Sequence, residues 1–403
     1  MGEVTRAGSH AGAPDLATPL VPTGRPANRI GGVDGVRALA ALAIVLTHTA
    51  YNSTAAAGRA GPWLSQLNSG VFVFFVISGF VLYRPFVAAH LTGRPTMGFR
   101  LYCERRVFRV YPAYWLALFV LVLVGQATFT NGRSEVANIL LVQGYFPSAT
   151  LQGIQQSWTL VIEVSFYLFL IFYAACIARL GRTHTRHVEL AGILVLLAIG
   201  VAGQLWFAIG SPPTVVTVLP ANLAAFGIGM LIALARAHVD SCSEPGPRWA
   251  TVAGRSAGLS WLLALGCFVA VVEGLGVEAR TSLGPWASFT RYFLFVLMGA
   301  LLLLPFAFGT ERGGIIRAAV SSRPIVFLGT ISYGIYLWHF GIMKIIHDDW
   351  LDLGPAQGSF LVVTGLTLAV SIVVASLSWF LLERPLVRLT HARSRRLGRK
   401  ATS

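Results

Sequence analysis

Ten apolar runs recur along this 403-residue chain, near 33–52, 68–88, 112–128, 157–179, 188–209, 216–236, 257–274, 288–309, 324–346 and 358–383. A helix needs about 20 such residues to cross roughly 30 Å of hydrocarbon, so the expected fold is all-α, a multi-pass membrane bundle of about ten transmembrane helices. Composition agrees: 55% of the residues are hydrophobic, 12% are charged, and the mean hydropathy is +0.68. The formal net charge of +15 does not point to nucleic acid, because the basic residues are spread through short segments between the apolar runs.

That spread predicts an orientation. If the N-terminus is inside, the outer segments hold only Arg59, Arg133, Arg280, Arg291 and Lys344, and Arg37 lies within the first run. The other 25 of the 31 Lys and Arg fall on the inner side, which predicts that both termini are cytoplasmic; the expected location is the cytoplasmic (plasma) membrane. Residues 1–31 have no apolar core and are expected to be a disordered cytoplasmic lead rather than a signal peptide. Residues 32–390 form the membrane domain, and 391–403 a basic tail near anionic lipid headgroups. Cys103, Cys176, Cys242 and Cys267 make no CxxC pair, so neither a zinc site nor a disulfide scaffold is indicated.

Ionisable side chains inside apolar runs are costly to place there and are functional candidates by default. Arg37 and His48 lie 11 residues apart, close to three helical turns, so they share a face about 16 Å apart along the axis. Arg37 falls near the cytoplasmic surface and His48 in the outer half. Glu163 follows Trp158 by five residues in a run of opposite direction, at an apparent depth like that of His48; the expectation is that it orients the imidazole or raises its basicity. His339 also falls in the outer half of its run, with Tyr333 and Tyr336 before it, in a structural or substrate-binding role.

The segment PTMGFRLYCERRVFRVYPAYW, residues 95–115, reads as a helix lying in the cytoplasmic headgroup region, with Tyr111 and Pro112 turning the chain into the membrane. Arg105, Arg106 and Arg109 share one of its turns, and guanidinium forks in such a group suit phosphate oxygens. Ser78-Gly79 reads as a tight helix contact, and Glu383-Arg384 as an ion pair at a helix end. No single helix spaces its histidines and carboxylates as a metal site would, so no metal is expected.

Taken together these elements resemble the acyltransferase 3 family of membrane-embedded, acyl-CoA-dependent O-acyltransferases, over residues 32–390. The family's Arg-x10-His signature is matched by Arg37 and His48, its Phe-Phe-x-x-Ser-Gly-Phe element by FFVISGF, and its arginine cluster before a proline by RRVFRVYP. Ser157, Trp158 and Glu163 match its Ser-Trp element and following acid, and SYGIYLWH, ending at His339, matches its Ser-Tyr-x-x-Tyr-Leu-x-His element. The resemblance implies transfer of an acyl group, usually acetyl, from cytoplasmic acyl-CoA to a hydroxyl of a glycan, glycolipid or glycosylated metabolite. It implies that Arg105, Arg106 and Arg109 meet the CoA phosphates, Arg37 marks the inner mouth of a channel, and His48 is the general base with Glu163 beside it. Some relatives carry a fused extracytoplasmic hydrolase-like domain; none is expected here. The competing class is a proton-coupled transporter, which also buries Arg, His and Glu.

Overall fold

A computed structural model describes residues 31–181, 185–210, 217–242, 247–276, 284–309 and 314–390. The lead and the basic tail expected from sequence therefore lie outside the described residues, apart from Gly31. Among the described residues every regular element is helical, and the chain contains nine helices long and apolar enough to cross a membrane, or ten if a bent pair counts as one span.

The chain begins with α1 (Gly31–Tyr51), a short α2 (Gly61–Ser65), α3 (Gly70–Thr92), α4 (Phe99–Leu123) and a short α5 (Gly132–Ile139). It continues with α6 (Trp158–Leu180), α7 (Thr185–Ala208), α8 (Leu219–Ser241), a short α9 (Arg248–Arg255), α10 (Ala257–Gly274) and α11 (Pro285–Phe308). Two short helices, α12 (Ile315–Val320) and α13 (Arg323–Thr330), precede α14 (Ser332–Lys344) and α15 (Phe360–Ser378). The bent pair is α13 with the helix starting at Ser332, which meet at 69°. Gly329 explains the close approach there: a Cβ on it would stand 1.9 Å from the Asp34 carbonyl oxygen of α1, so only glycine lets α13 lie against that backbone.

Lipid offers no hydrophobic drive between helices, so association depends on small residues that let backbones meet. The seam of α3 and α8 is built this way. A Cβ on Gly79 would stand 2.1 Å from the carbonyl oxygen of Phe226, and one on Gly229 would stand 2.0 Å from that of Val76. The Phe226 ring stacks beside this seam between Phe75 and Phe166, with ring centroids 4.9 Å and 4.0 Å away respectively. The first span, α1, packs against α3, α11, α13, α14 and α15, and so sits at the centre of the bundle, where its polar face is turned toward protein.

Two local expectations change. The arginine segment is not a separate surface helix: α4 runs unbroken through Pro112 for 25 residues. Pro112 lacks the N–H that would bond to Phe108, yet hydrogen bonds from Tyr111, Tyr114 and Trp115 to carbonyls of the α5 region tie the helix down on both sides of it. Glu383 does not pair with Arg384. It is buried and takes a hydrogen bond from Arg109 Nη1 at 3.4 Å and another from Ser378. Consecutive helical residues point about 100° apart, so sequence neighbours are poor ion-pair partners.

Candidate active site

The shared face of α1 has two stations. At the first, Arg37 borders a cavity of about 40 Å³ with Glu163, Phe74, Thr159, Tyr333 and Tyr336. Its guanidinium lies over the Phe74 ring, 5.8 Å from the centroid, and its buried Nε has no hydrogen-bond partner among the described residues. Across the cavity Glu163 Oε1 accepts from Ser78 Oγ at 3.2 Å and from the Tyr167 hydroxyl at 2.5 Å. Tyr333, also on the wall, donates its hydroxyl to the Val110 carbonyl of α4 at 2.8 Å.

At the second station, His48 Nδ1 and His339 Nε2 are 2.8 Å apart and the two rings stack with centroids 5.0 Å apart. The edge of Phe340 closes on the His48 ring. The partner of His48 is thus His339 and not Glu163. Gln156 explains the displacement, because its amide donates to the carbonyls of Tyr336 and Leu337, in the turn just before His339. The chain entering α6 is already at the imidazole level there, and seven further residues carry Glu163 about 10 Å toward the Arg37 station. Thr159 and Tyr336 bridge the levels: their hydroxyls share a 2.6 Å hydrogen bond, and the Tyr336 hydroxyl also donates to the Gln156 carbonyl.

Beyond the imidazoles lies a larger pocket of about 230 Å³, lined with Gln126, Thr130, Gln152, Gln156, Phe340 and Lys344 among others. The amide nitrogen of Gln156 is spent on two carbonyls, which leaves its buried Oε1 without a partner among the described residues. At the opposite end of the bundle, Arg106 lies between the rings of Tyr102 and Tyr167, 5.5 Å and 5.7 Å from their centroids. Tyr167 is the residue that donates to Glu163, so the arginines connect to the first station through one side chain. Arg105 is half-buried beside Arg106 on the same turn, whereas Arg109 is committed to Glu383 and packs over Tyr333 and Trp379. Trp158 opens α6 and borders neither cavity.

The structure therefore joins Arg37, Ser78, Glu163 and Tyr333 in one cluster and His48 with His339 in another. Sequence reasoning missed Gln156, Thr159 and Tyr167; their one visible signal is that they are polar positions just before or inside the run at 157–179. It also missed Glu189, fully buried, which pairs with His90 Nδ1 at 2.5 Å and accepts from the Tyr83 hydroxyl. No group of three or more His, Cys, Asp or Glu among the described residues is placed to hold a metal ion. The four cysteines are free.

A helical membrane bundle with a cationic station on α1 and an imidazole pair shared between α1 and α14 defines a multi-pass membrane protein with polar groups buried in its interior. The family model described as an acyltransferase domain matches residues 30–379, and the chain belongs to that family, acyltransferase 3. Among its relatives, YrhL of Bacillus subtilis (strain 168), provisionally named a peptidoglycan O-acetyltransferase, is 24% identical over 89% of this chain and 55% of its own length. SACOL0978 of Staphylococcus aureus (strain COL), provisionally named an O-acetyltransferase, is 22% identical over 88% of this chain and 57% of its own. The O-acetyltransferase OatA of Staphylococcus aureus (strain NCTC 8325 / PS 47) is 21% identical over 88% and 57%. The chain thus spans a little over half the length of these curated relatives. No solved structure matches it.

Proposed function

We propose that this protein is an acyl-CoA-dependent O-acyltransferase of the plasma membrane, moving an acetyl group from cytoplasmic acetyl-CoA to a hydroxyl of a glycan or glycosylated acceptor. The observation that carries this reading is the series of stations beside α1: the arginines of α4, a narrow cavity between Arg37 and Glu163, the His48–His339 pair, and a polar pocket beyond. Arg105 and Arg106 hold the CoA phosphates by charge-assisted hydrogen bonds. The acyl-bearing arm passes Tyr167 and Arg37, and Glu163 sets the charge of that passage. The acceptor comes from the side of Phe340, where amide, hydroxyl and ammonium groups suit a polyhydroxylated ligand.

His48 is the general base. The acceptor oxygen attacks the thioester carbonyl carbon as its proton passes to the imidazole; the C–S bond breaks and the proton then goes to the departing thiolate, giving an ester and free CoA. An imidazole suits this task because its ordinary pKa lies near neutrality. The named function of peptidoglycan O-acetyltransferase in a relative supports a glycan acceptor, and the bias of basic residues supports cytoplasmic termini, which puts the arginines on the side where acyl-CoA is found.

The test is to incubate purified protein in bilayer discs with labelled acetyl-CoA and either glycan fragments or glycosylated metabolites. A labelled ester identified by mass is expected from the wild type, and His48→Ala, still folded, is expected to lose at least about 10²-fold of its turnover. Wild-type turnover in that variant would remove the base role, and a thioester left intact by every acceptor would remove the activity.

A further inference from the structure

The tautomers of the imidazole pair follow from what surrounds it. His339 is fully buried, and its Nδ1 lies 3.1 Å from the carbonyl oxygen of Ile335 and 2.8 Å from that of Tyr336. Carbonyl oxygens only accept, so Nδ1 of His339 carries a proton and donates to both. Among the described residues no carboxylate lies within hydrogen-bonding reach of either ring, and a buried imidazolium with no anion is costly, so the resting pair is neutral. The Nε2 of His339 is then a bare acceptor. It faces His48 Nδ1 at 2.8 Å, which must therefore be the N–H donor.

From this chain of donors we infer that His339 is a positioning residue that fixes His48 in the tautomer with Nδ1 protonated and Nε2 bare, so that Nε2 is the basic atom. The inference rests on the reading of His48 as the base, and it deepens that reading by assigning the atom and its supporting partner. In the wrong tautomer Nε2 carries the proton and cannot accept another from the acceptor hydroxyl. When Nε2 takes the acceptor's proton, the positive charge on His48 is met by a neutral ring rather than a carboxylate. The Nδ1 proton can then move to His339 Nε2, where the resulting imidazolium keeps its own Nδ1–H on two carbonyls. Each proton keeps one nitrogen, and no other donor is required.

Two backbone carbonyls hold the orienting ring, and both belong to the turn of α14 that carries it. Tyr336 and Leu337 are in turn clamped by the amide of Gln156. The positioning device is therefore built from α14 and the turn that leads into α6, outside the helix that bears the base.

The experiment is nitrogen-15 spectroscopy of histidine-labelled protein in bilayer discs, with His48→Gln and His339→Gln used to assign the two rings. The wild type is expected to show, for His48, a protonated-type Nδ1 and a bare-type Nε2, and the same pattern reversed in role for His339, protonated at Nδ1 and bare at Nε2 as an acceptor. In His339→Leu the acceptor is gone, so the His48 signals should move toward a mixture of tautomers and kcat should fall about tenfold or more with the donor KM unchanged. In His339→Gln an amide oxygen can take the Nδ1–H, so the His48 pattern and most of kcat should return. A wild-type His48 protonated at Nε2 would overturn the inference, as would a His339→Leu protein with unchanged spectrum and unchanged kcat. If His339→Leu does not fold, the spectrum of the wild type and the Gln variant decide alone. The spectrum needs no turnover, so its outcome is separable from that of the acyl-transfer assay.

Discussion

Adding one methyl group at Gly79 tests whether the seam of α3 and α8 sets the geometry of the inner cavity. The new Cβ would lie 2.1 Å from the Phe226 carbonyl oxygen and 2.9 Å from its carbon, against ordinary contacts that begin near 3.4 Å. The obstacle is backbone, which cannot rotate away, so the two helices must part by about 1 Å along a tightly packed line. Overpacking of this kind costs about 1–3 kcal/mol, and a rigid neighbour places Gly79→Ala toward the upper end. Ser78, the adjacent residue, donates to Glu163, so the same displacement opens the Arg37 cavity and should lower turnover as well. Gly266, in the middle of α10 with nothing within 4 Å of a built Cβ, is the matched control, and Gly266→Ala should leave stability unchanged or raise it by up to about 1 kcal/mol. Unfolding in mixed micelles, followed by the fluorescence of the ten tryptophans, compares the two variants with the wild type. A Gly79→Ala protein as stable as Gly266→Ala would refute the reasoning.

Arg109→Ala strips the cation from buried Glu383 and should destabilise the protein by about 3 kcal/mol, with Arg109→Ala/Glu383→Gln recovering much of the loss; additive effects in the thermal melts would refute the pairing. Arg106 has no carboxylate partner among the described residues, so the melt of Arg106→Ala should be near wild type while calorimetric titration shows acyl-CoA affinity lower by about tenfold or more. Glu163→Gln keeps an oxygen for Ser78 and Tyr167 but removes the charge facing Arg37. It should raise the donor KM while leaving the His48 nitrogen signals in place, and a shifted His48 spectrum would restore a direct Glu163–His48 link.

The sequence conveys the spans well because hydrocarbon thickness imposes a length on each apolar run, and all ten expected runs correspond to a spanning helix or to the bent pair. It conveys the shared face of Arg37 and His48 because both lie on one helix, where spacing alone fixes direction. Relations between helices were less legible. The depth of Glu163 depended on where α6 begins, and that is set by Gln156 bonding to α14, 180 residues away in sequence. The partner of Glu383 lies 274 residues away, and the neighbouring Arg384 was the natural but wrong choice. The bend between α13 and α14 carries no proline; it is imposed by Gly329 resting on the α1 backbone, a contact with no local signal.

The unbroken course of α4 has a mechanical consequence. Its 25 residues make a rod of about 37 Å that bears Arg105 and Arg106 in its first half, while Leu121 and the following Gln126 line the pocket beyond the imidazoles at its far end. A rod pivoting at its middle by about 5° moves each tip by more than 1 Å, in opposite directions. A tilt imposed at the arginines is therefore carried along a single helix, through Pro112, to the wall of the far pocket.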